Sequence, residues 1–176
     1  VTHIAKQWKK DQDAPLALAK QVPADRFFSL NYENLISKPE ETVRELCAFL
    51  DIDYTDNMLQ YYTSNTSKIT AASGEMWSNL EKPIMTNNTN KFLKEFKDDE
   101  LELFELIAGD TLTTLGYQLY ATQLNQDLLS PDLIVQYDIE NSERKKHVLT
   151  NARTSDLDKR AAQENILRIL KQKVAL

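Results

Sequence analysis

The sequence predicts a helix-rich α/β chain with a single buried strand. Three observations point there. Gly and Pro are scarce, at 3 and 5 of 176 residues, well under the usual share of about 7% for Gly, so few positions favour turns over helix. Apolar residues recur at i, i+3, i+4 and i+7 along several segments, the period of a helix with one buried face. One short run, Arg26-Phe27-Phe28-Ser29-Leu30-Asn31-Tyr32, is aromatic-rich and carries large residues on both faces. That is the pattern of a strand covered by helices on both sides.

Taken in order, the first twenty residues read as helical, with Ile4 and Trp8 one turn apart. Pro15 either interrupts this pattern or starts a second helix after a capping Asp13. Residues 22–25 form a joint around Pro23, and the strand spans 27–32. Pro39 suits the first position of a helix over 39–50, where Glu40 and Glu41 complement the positive end of the dipole. Val43, Leu46, Cys47 and Leu50 form its buried face. A polar joint at 51–56 leads to a short helix around Met58, Leu59 and Tyr62.

Residues 63–97 are dense in Thr, Ser and Asn, with isolated Trp77, Pro83 and Phe92. They read as a long irregular segment, and such segments in compact domains are functional or mobile. Asp98 then opens a strong helix with Leu101, Phe104, Ala108, Leu112 and Leu115 as its stripe and Gly116 as its C-terminal cap. In the tail, Ser130-Pro131-Asp132 marks a turn and 133–137 a short extended piece. Residues 155–176 read as a helix with Ser155 and Asp158 as a capping box. Leu157, Ala161, Leu167, Leu170 and Val174 would line one side of it, and the Arg144-Lys145-Lys146-His147 cluster reads as a solvated helix face.

Composition narrows the function. The net charge is −6 and the pI about 5.0, a balance that argues against a nucleic-acid partner but allows a small anionic ligand at a locally cationic site. Cys47 is the single cysteine, so there is no internal disulfide or multi-thiolate metal site, and Cys47 reads as core. His3 and His147 lie far apart, which argues against a His-based zinc site. The longest apolar run covers 46–50, far short of the roughly 18–20 residues that span a bilayer. No membrane partner and no secretory leader are expected. With glycines only at 74, 109 and 116, neither GxGxxG nor GxxxxGK[ST] can be built. From spacing and composition alone no chemistry follows.

A resemblance adds to this. Tyr32-Glu33-Asn34-Leu35, Pro39-Glu40-Glu41-Thr42 and Leu46-Cys47-Ala48-Phe49-Leu50 resemble the Tyr-Glu-x-Leu…Pro…Leu-x-x-Phe-Leu signature of sulfotransferases. These enzymes use 3'-phosphoadenosine 5'-phosphosulfate (PAPS). Lys82-Pro83-Ile84, Asn90-Lys91-Phe92 and Leu115-Gly116-Tyr117 follow in the order and spacing of tyrosylprotein sulfotransferases and their bacterial relatives. The Tyr117-x-x-Tyr120-Ala121 sequence also resembles that group. The likeness covers roughly residues 20–121.

The resemblance implies a transferase in which residues 1–121 are the C-terminal half of a P-loop sulfotransferase domain, mostly helical with at least one buried parallel strand. Residues 122–176 would be a helical tail. The family's 5'-phosphosulfate loop, its 3'-phosphate Arg and Ser and its usual catalytic base lie upstream of the Tyr-Glu motif, and residues 1–31 contain none of them. The chain would thus be a fragment with an incomplete active site. The resemblance also implies roles for single residues. Tyr32 would lie at the cofactor, although it also fits an ordinary aromatic at a strand end. Ser73 would be the catalytic serine that begins the cofactor loop and stabilises the transition state, with Gly74 beside it, although it also fits a solvated loop serine. Trp77 would cover the adenine or simply pack. Lys82 ends that loop, and Lys91, eight residues after Pro83, would bind the cofactor. Thr86-Asn87-Asn88 stand where cytosolic sulfotransferases carry an Arg-Lys-Gly triplet, which favours the tyrosylprotein-like branch. Glu33 reads as a structural hydrogen-bond partner rather than a general base.

The expected reaction is transfer of a sulfuryl group from PAPS to an acceptor hydroxyl or amine on a sugar, peptide or small molecule. The alternative is a non-catalytic helical interaction module derived from the same fold. A single cysteine argues against an oxidising compartment and for a cytoplasmic one.

Overall fold

The computed structural model describes residues 1–152 and 154–174. Helix α1 (Thr2–Ala19) runs through Pro15 without a break, so one continuous helix replaces both alternatives at that proline. Pro15 simply has no N–H to offer the carbonyl four residues back. Helix α1 packs along α6 (Asp98–Thr114). Ala5 on α1 and Ala108 on α6 are fully buried, and such small side chains shorten the distance between packed helix axes. A polar clasp ties the same pair. The Lys9 ammonium donates to both Asp110 carboxylate oxygens at 2.7 Å and to the Thr111 hydroxyl at 2.8 Å. Thr111, itself buried, donates to Asp13 at 2.6 Å.

The expected buried strand is absent: no strand occurs among the described residues. Phe27 (φ −136°, ψ 115°) and Asn31 (φ −103°, ψ 156°) do have extended backbone. A strand also needs a neighbour to complete its hydrogen-bond ladder, and this run finds none among the described residues. It is not enclosed either, since Ser29, Leu30, Asn31 and Tyr32 are exposed. The run stops where Asn31 caps helix α2 (Tyr32–Ser37), its side chain accepting from the Asn34 N–H at 2.8 Å. The α/β expectation therefore gives way to a helical chain.

Helix α3 (Pro39–Leu50) has the expected bounds. Cys47 is buried, as expected of a core residue, and Val43 and Leu46 are half-buried, but Leu50 is 53% exposed. Leu50 belongs to the last turn, which Asp51 closes in the left-handed region at φ 56°. Cys47 meets Met58 sulfur to sulfur at 3.6 Å. Around Met58, two 3-10 turns, Asp56–Leu59 and Tyr61–Thr63, stand where a short helix was expected.

Residues 63–97 are more ordered than their composition predicts. Ser64 caps α4 (Asn65–Ala71) by accepting from the Ser67 N–H at 3.0 Å. A 3-10 stretch, Glu75–Glu81, packs on α4, and α5 (Phe92–Glu95) is a single turn. The same side chains that favour loops also favour caps, so polarity alone could not separate the two.

Helix α6 starts at Asp98 as expected and ends at Gly116, whose φ of 83° suits a residue without Cβ. The Gly116 N–H donates to Thr113 at 3.0 Å and the Tyr117 N–H to Leu112 at 2.9 Å, the paired bonds of a Schellman ending. In the tail, 133–137 is helical rather than extended, because Pro131 starts α7 (Pro131–Thr150) from its first turn. Residues 144–147 of α7 are exposed, as expected of a solvated face. Helix α8 (Thr154–Val174) begins one residue before Ser155, which places Ser155 inside it rather than at its cap. Leu157, Leu167 and Leu170 are exposed rather than packed. The Val174 side chain and Leu176 lie outside the described residues. No helix among the described residues is long and apolar enough to cross a membrane.

Candidate functional site

The start of α2 borders a cleft of about 390 Å³ between α2, α3 and the segment 58–85. Tyr32, Val43, Leu59, Trp77 and Pro83 are among its walls. The Tyr32 hydroxyl accepts from the Asn88 side-chain amide at 2.5 Å and donates to the Asn88 carbonyl at 3.5 Å. Residues 56 apart in sequence are thereby held together, and the strand end foreseen at Tyr32 is instead the first residue of a capped helix. Trp77, from the 3-10 stretch, lines the cleft and keeps 46% of its surface exposed. Tyr61 donates to the Lys82 carbonyl at 2.9 Å and fixes the chain just before Pro83.

The other expected residues stand off this cleft. The Ser73 hydroxyl donates to the Thr70 carbonyl at 2.7 Å and closes the end of α4. Gly74 has φ 176°, extended backbone that any residue adopts, and a Cβ there would meet Trp77 only at 3.9 Å. The Lys82 ammonium donates to Asn79 at 3.0 Å. Lys91 is exposed at the start of α5. The structure thus brings Tyr32 and Trp77 together, sets Gly74 against Trp77, reaches Lys82 through the backbone, and does not place Ser73 or Lys91 among the cleft's walls.

This geometry bears on what the cleft can take. An exposed indole and apolar walls suit a flat ring system, and the volume lies within the roughly 300–1,000 Å³ of small-molecule sites. Among the described residues no cationic side chain lines the cleft, so the charged ends of a phosphorylated nucleotide need cations beyond those walls.

A different set of residues surrounds Glu33, one position on in α2. The Tyr117 hydroxyl donates to Glu33 at 3.1 Å, which makes Glu33 a structural partner as expected. Burial, and then the Glu33 carboxylate, push the Tyr117 phenol above its ordinary range. Glu105 on α6 is 4% exposed and accepts from the Tyr120 and Ala121 N–H groups at 2.7 and 2.9 Å. The Tyr117-x-x-Tyr120-Ala121 sequence is thereby folded back onto α6 and α2. Sequence reasoning missed Glu105 and Asn88. Glu105 did leave a signal, a carboxylate between Phe104 and Ala108 at four residues from Leu101 in an apolar stripe. Asn88 stood out only as part of Thr86-Asn87-Asn88, with nothing to mark it as the partner of Tyr32.

Comparison with known proteins agrees with the motifs. Residues 1–56 match the model of the sulfotransferase family. A Caenorhabditis briggsae protein named "Putative protein-tyrosine sulfotransferase" is 26% identical over 107 residues, which cover 60% of this chain and 38% of that protein. An uncharacterized protein of Aquifex aeolicus is 29% identical over 94 residues, which cover 46% of this chain and 12% of that protein. The chain thus spans well under half the length of either relative. No solved structure matches it.

Proposed function

We propose that this chain, similar to the sulfotransferase family over residues 1–56, contributes part of the donor site of an enzyme that moves a sulfuryl group from PAPS to an acceptor hydroxyl or amine. The match of residues 1–56 to the family carries this reading, and the protein-tyrosine sulfotransferase likeness over 60% of the chain supports it. PAPS, when bound, supplies an activated sulfuryl group on a phosphate leaving group.

In this reading Tyr32 and Trp77 hold the adenine, since both border the apolar cleft. Lys82 and Lys91 offset the phosphates, and Ser73 donates to oxygens that gain charge during transfer. Gly74 lets the loop between Ser73 and Lys82 lie close to the nucleotide. The 5'-phosphosulfate loop and the 3'-phosphate groups belong to parts of the protein outside this chain, consistent with a cleft whose own walls hold no cation. Residues 1–121 form the C-terminal part of the sulfotransferase domain and 122–176 a helical tail. A buried, free Cys47 supports a cytoplasmic location.

Binding and turnover of variants test the reading in the full-length protein. Lys91→Ala should weaken binding of 3'-phosphoadenosine 5'-phosphate by ~1.5–3 kcal/mol, the scale of a hydrogen bond to a charged group. Ser73→Ala should lower kcat more than cofactor affinity, because its bond strengthens in the transition state. Unchanged affinity in the Lys91 variant would overturn the assignment. One observation favours a second reading, a non-catalytic interaction module: Val135 and Ile139 on α7 and Ile166 and Leu170 on α8 are more than half exposed. Absence of sulfuryl transfer by the intact protein would select it.

A further inference from the structure

A second cavity, of about 320 Å³, lies between α1, α6 and the chain after α6. Neither Tyr32 nor Trp77 lines it. Six aromatic side chains do: Trp8, Phe92, Phe96, Phe104, Tyr117 and Tyr120. They fall into a group of four and a pair: Trp8 is 5.8 Å from Phe104 and 6.5 Å from Tyr117, and Phe96 is 6.3 Å from Phe104, while Phe92 is 5.7 Å from Tyr120. Two carboxylates, Glu33 and Glu105, also line the wall, and no Lys, Arg or His among the described residues does.

We propose that this cavity binds an organic cation of the quaternary-ammonium class. Aromatic rings attract a cation through their quadrupoles, and the attraction grows when the site is desolvated. The two carboxylates add negative potential, and no ion pair to either is formed among the described residues. Part of their hydrogen-bonding capacity is already taken. Tyr117 donates to one Glu33 oxygen, and the Tyr120 and Ala121 N–H groups take both Glu105 oxygens. Three of the four carboxylate oxygens therefore already hold a protein donor. A primary ammonium would bring three N–H groups needing acceptors. A trimethylated ammonium brings none and offers methyl groups to the rings. The volume admits such a group with a short substituent.

Calorimetric titration of the full-length protein with choline and with its neutral isostere 3,3-dimethylbutan-1-ol tests the assignment. Choline should bind saturably, and the isostere about tenfold more weakly or not at all, the discrimination a desolvated cation–aromatic site provides. Glu33→Gln keeps an oxygen for Tyr117 but removes the charge, and should weaken choline several-fold while leaving the isostere unchanged. Should that variant fail to fold, Tyr120→Leu, at a residue that is 39% exposed, keeps the apolar surface and removes one ring, with the same expected loss. Equal binding of choline and the isostere would show an apolar cavity only. No saturable binding of choline, or unchanged affinity in a folded variant, would equally overturn the proposal. Since PAPS is absent from these measurements, failure here leaves the sulfuryl-transfer reading standing.

Discussion

The Tyr117 hydroxyl reaches Glu33 across 84 positions of sequence. That contact is half-buried, and the carboxylate bears on the phenol's chemistry. The phenol is raised first by burial and second by the carboxylate. Tyr117 should therefore titrate above the ordinary value of 10.0 when followed by NMR. Glu33→Gln should bring it down only partway, since burial, the larger cause, remains. A raised folded-state pKa gives stability that is fully present below the ordinary tyrosine range and lost as pH rises through the raised value. Alkaline unfolding should thus begin earlier in wild type than in Tyr117→Phe once each is referred to its own neutral-pH stability. A Tyr117 that titrates at the ordinary value would contradict the contact. At this scale the sequence was partly legible. Tyr32 and Tyr117 stood out through their motifs, whereas their partners depend on chain crossings that no local pattern encodes.

The helices are held by a few specific contacts as much as by a core. Only Ala5, Ile36, Cys47, Leu103 and Ala108 are buried apolar residues among those described. The α1–α6 pair therefore leans on the clasp at Lys9. The Lys9 ammonium holds the Asp110 carboxyl below its ordinary range, and hydrogen bonding to Asp110 raises the Lys9 ammonium against the effect of desolvation. For Asp110 the sign is that of a depressed carboxylate. Its contribution is present above the ordinary aspartate range and lost as pH falls through the lowered value. Acid denaturation followed by circular dichroism should show a limb in that window that Lys9→Met removes, and identical acid limbs would contradict the clasp. The elements that sequence located best, α3 and α6, have clear end signals: Pro39 with two glutamates at the start of α3, and Asp98 and Gly116 at the start and end of α6. The strand failed because strand pairing is non-local. Residues 27–31 obey their propensity for extended backbone without a partner to make it a ladder. The tail helix at Pro131 was misread because Ser-Pro-Asp serves a turn and a helix start equally.

Among the cavities that flank α2 in the described residues are one shared by Tyr32 and Trp77 and one beside Glu33. The first is apolar and aromatic with no cation among the described residues; the second is aromatic with carboxylates. Family motifs pointed to Tyr32 and Trp77 on the first, but not to the distance of Ser73 and Lys91 from it, because a motif gives order along the chain and not its path in space. If the first cleft is the adenine end of a donor site, its aromatic walls must contribute to nucleotide affinity before any chemistry occurs. The direct measurement is equilibrium binding of 3'-phosphoadenosine 5'-phosphate to the full-length protein and to its Trp77→Ala variant. The account predicts saturable binding that Trp77→Ala weakens by ~1–3 kcal/mol, the scale of stacking a base on an aromatic side chain. Equal affinity in wild type and variant, or no saturable binding by the intact protein, would contradict it.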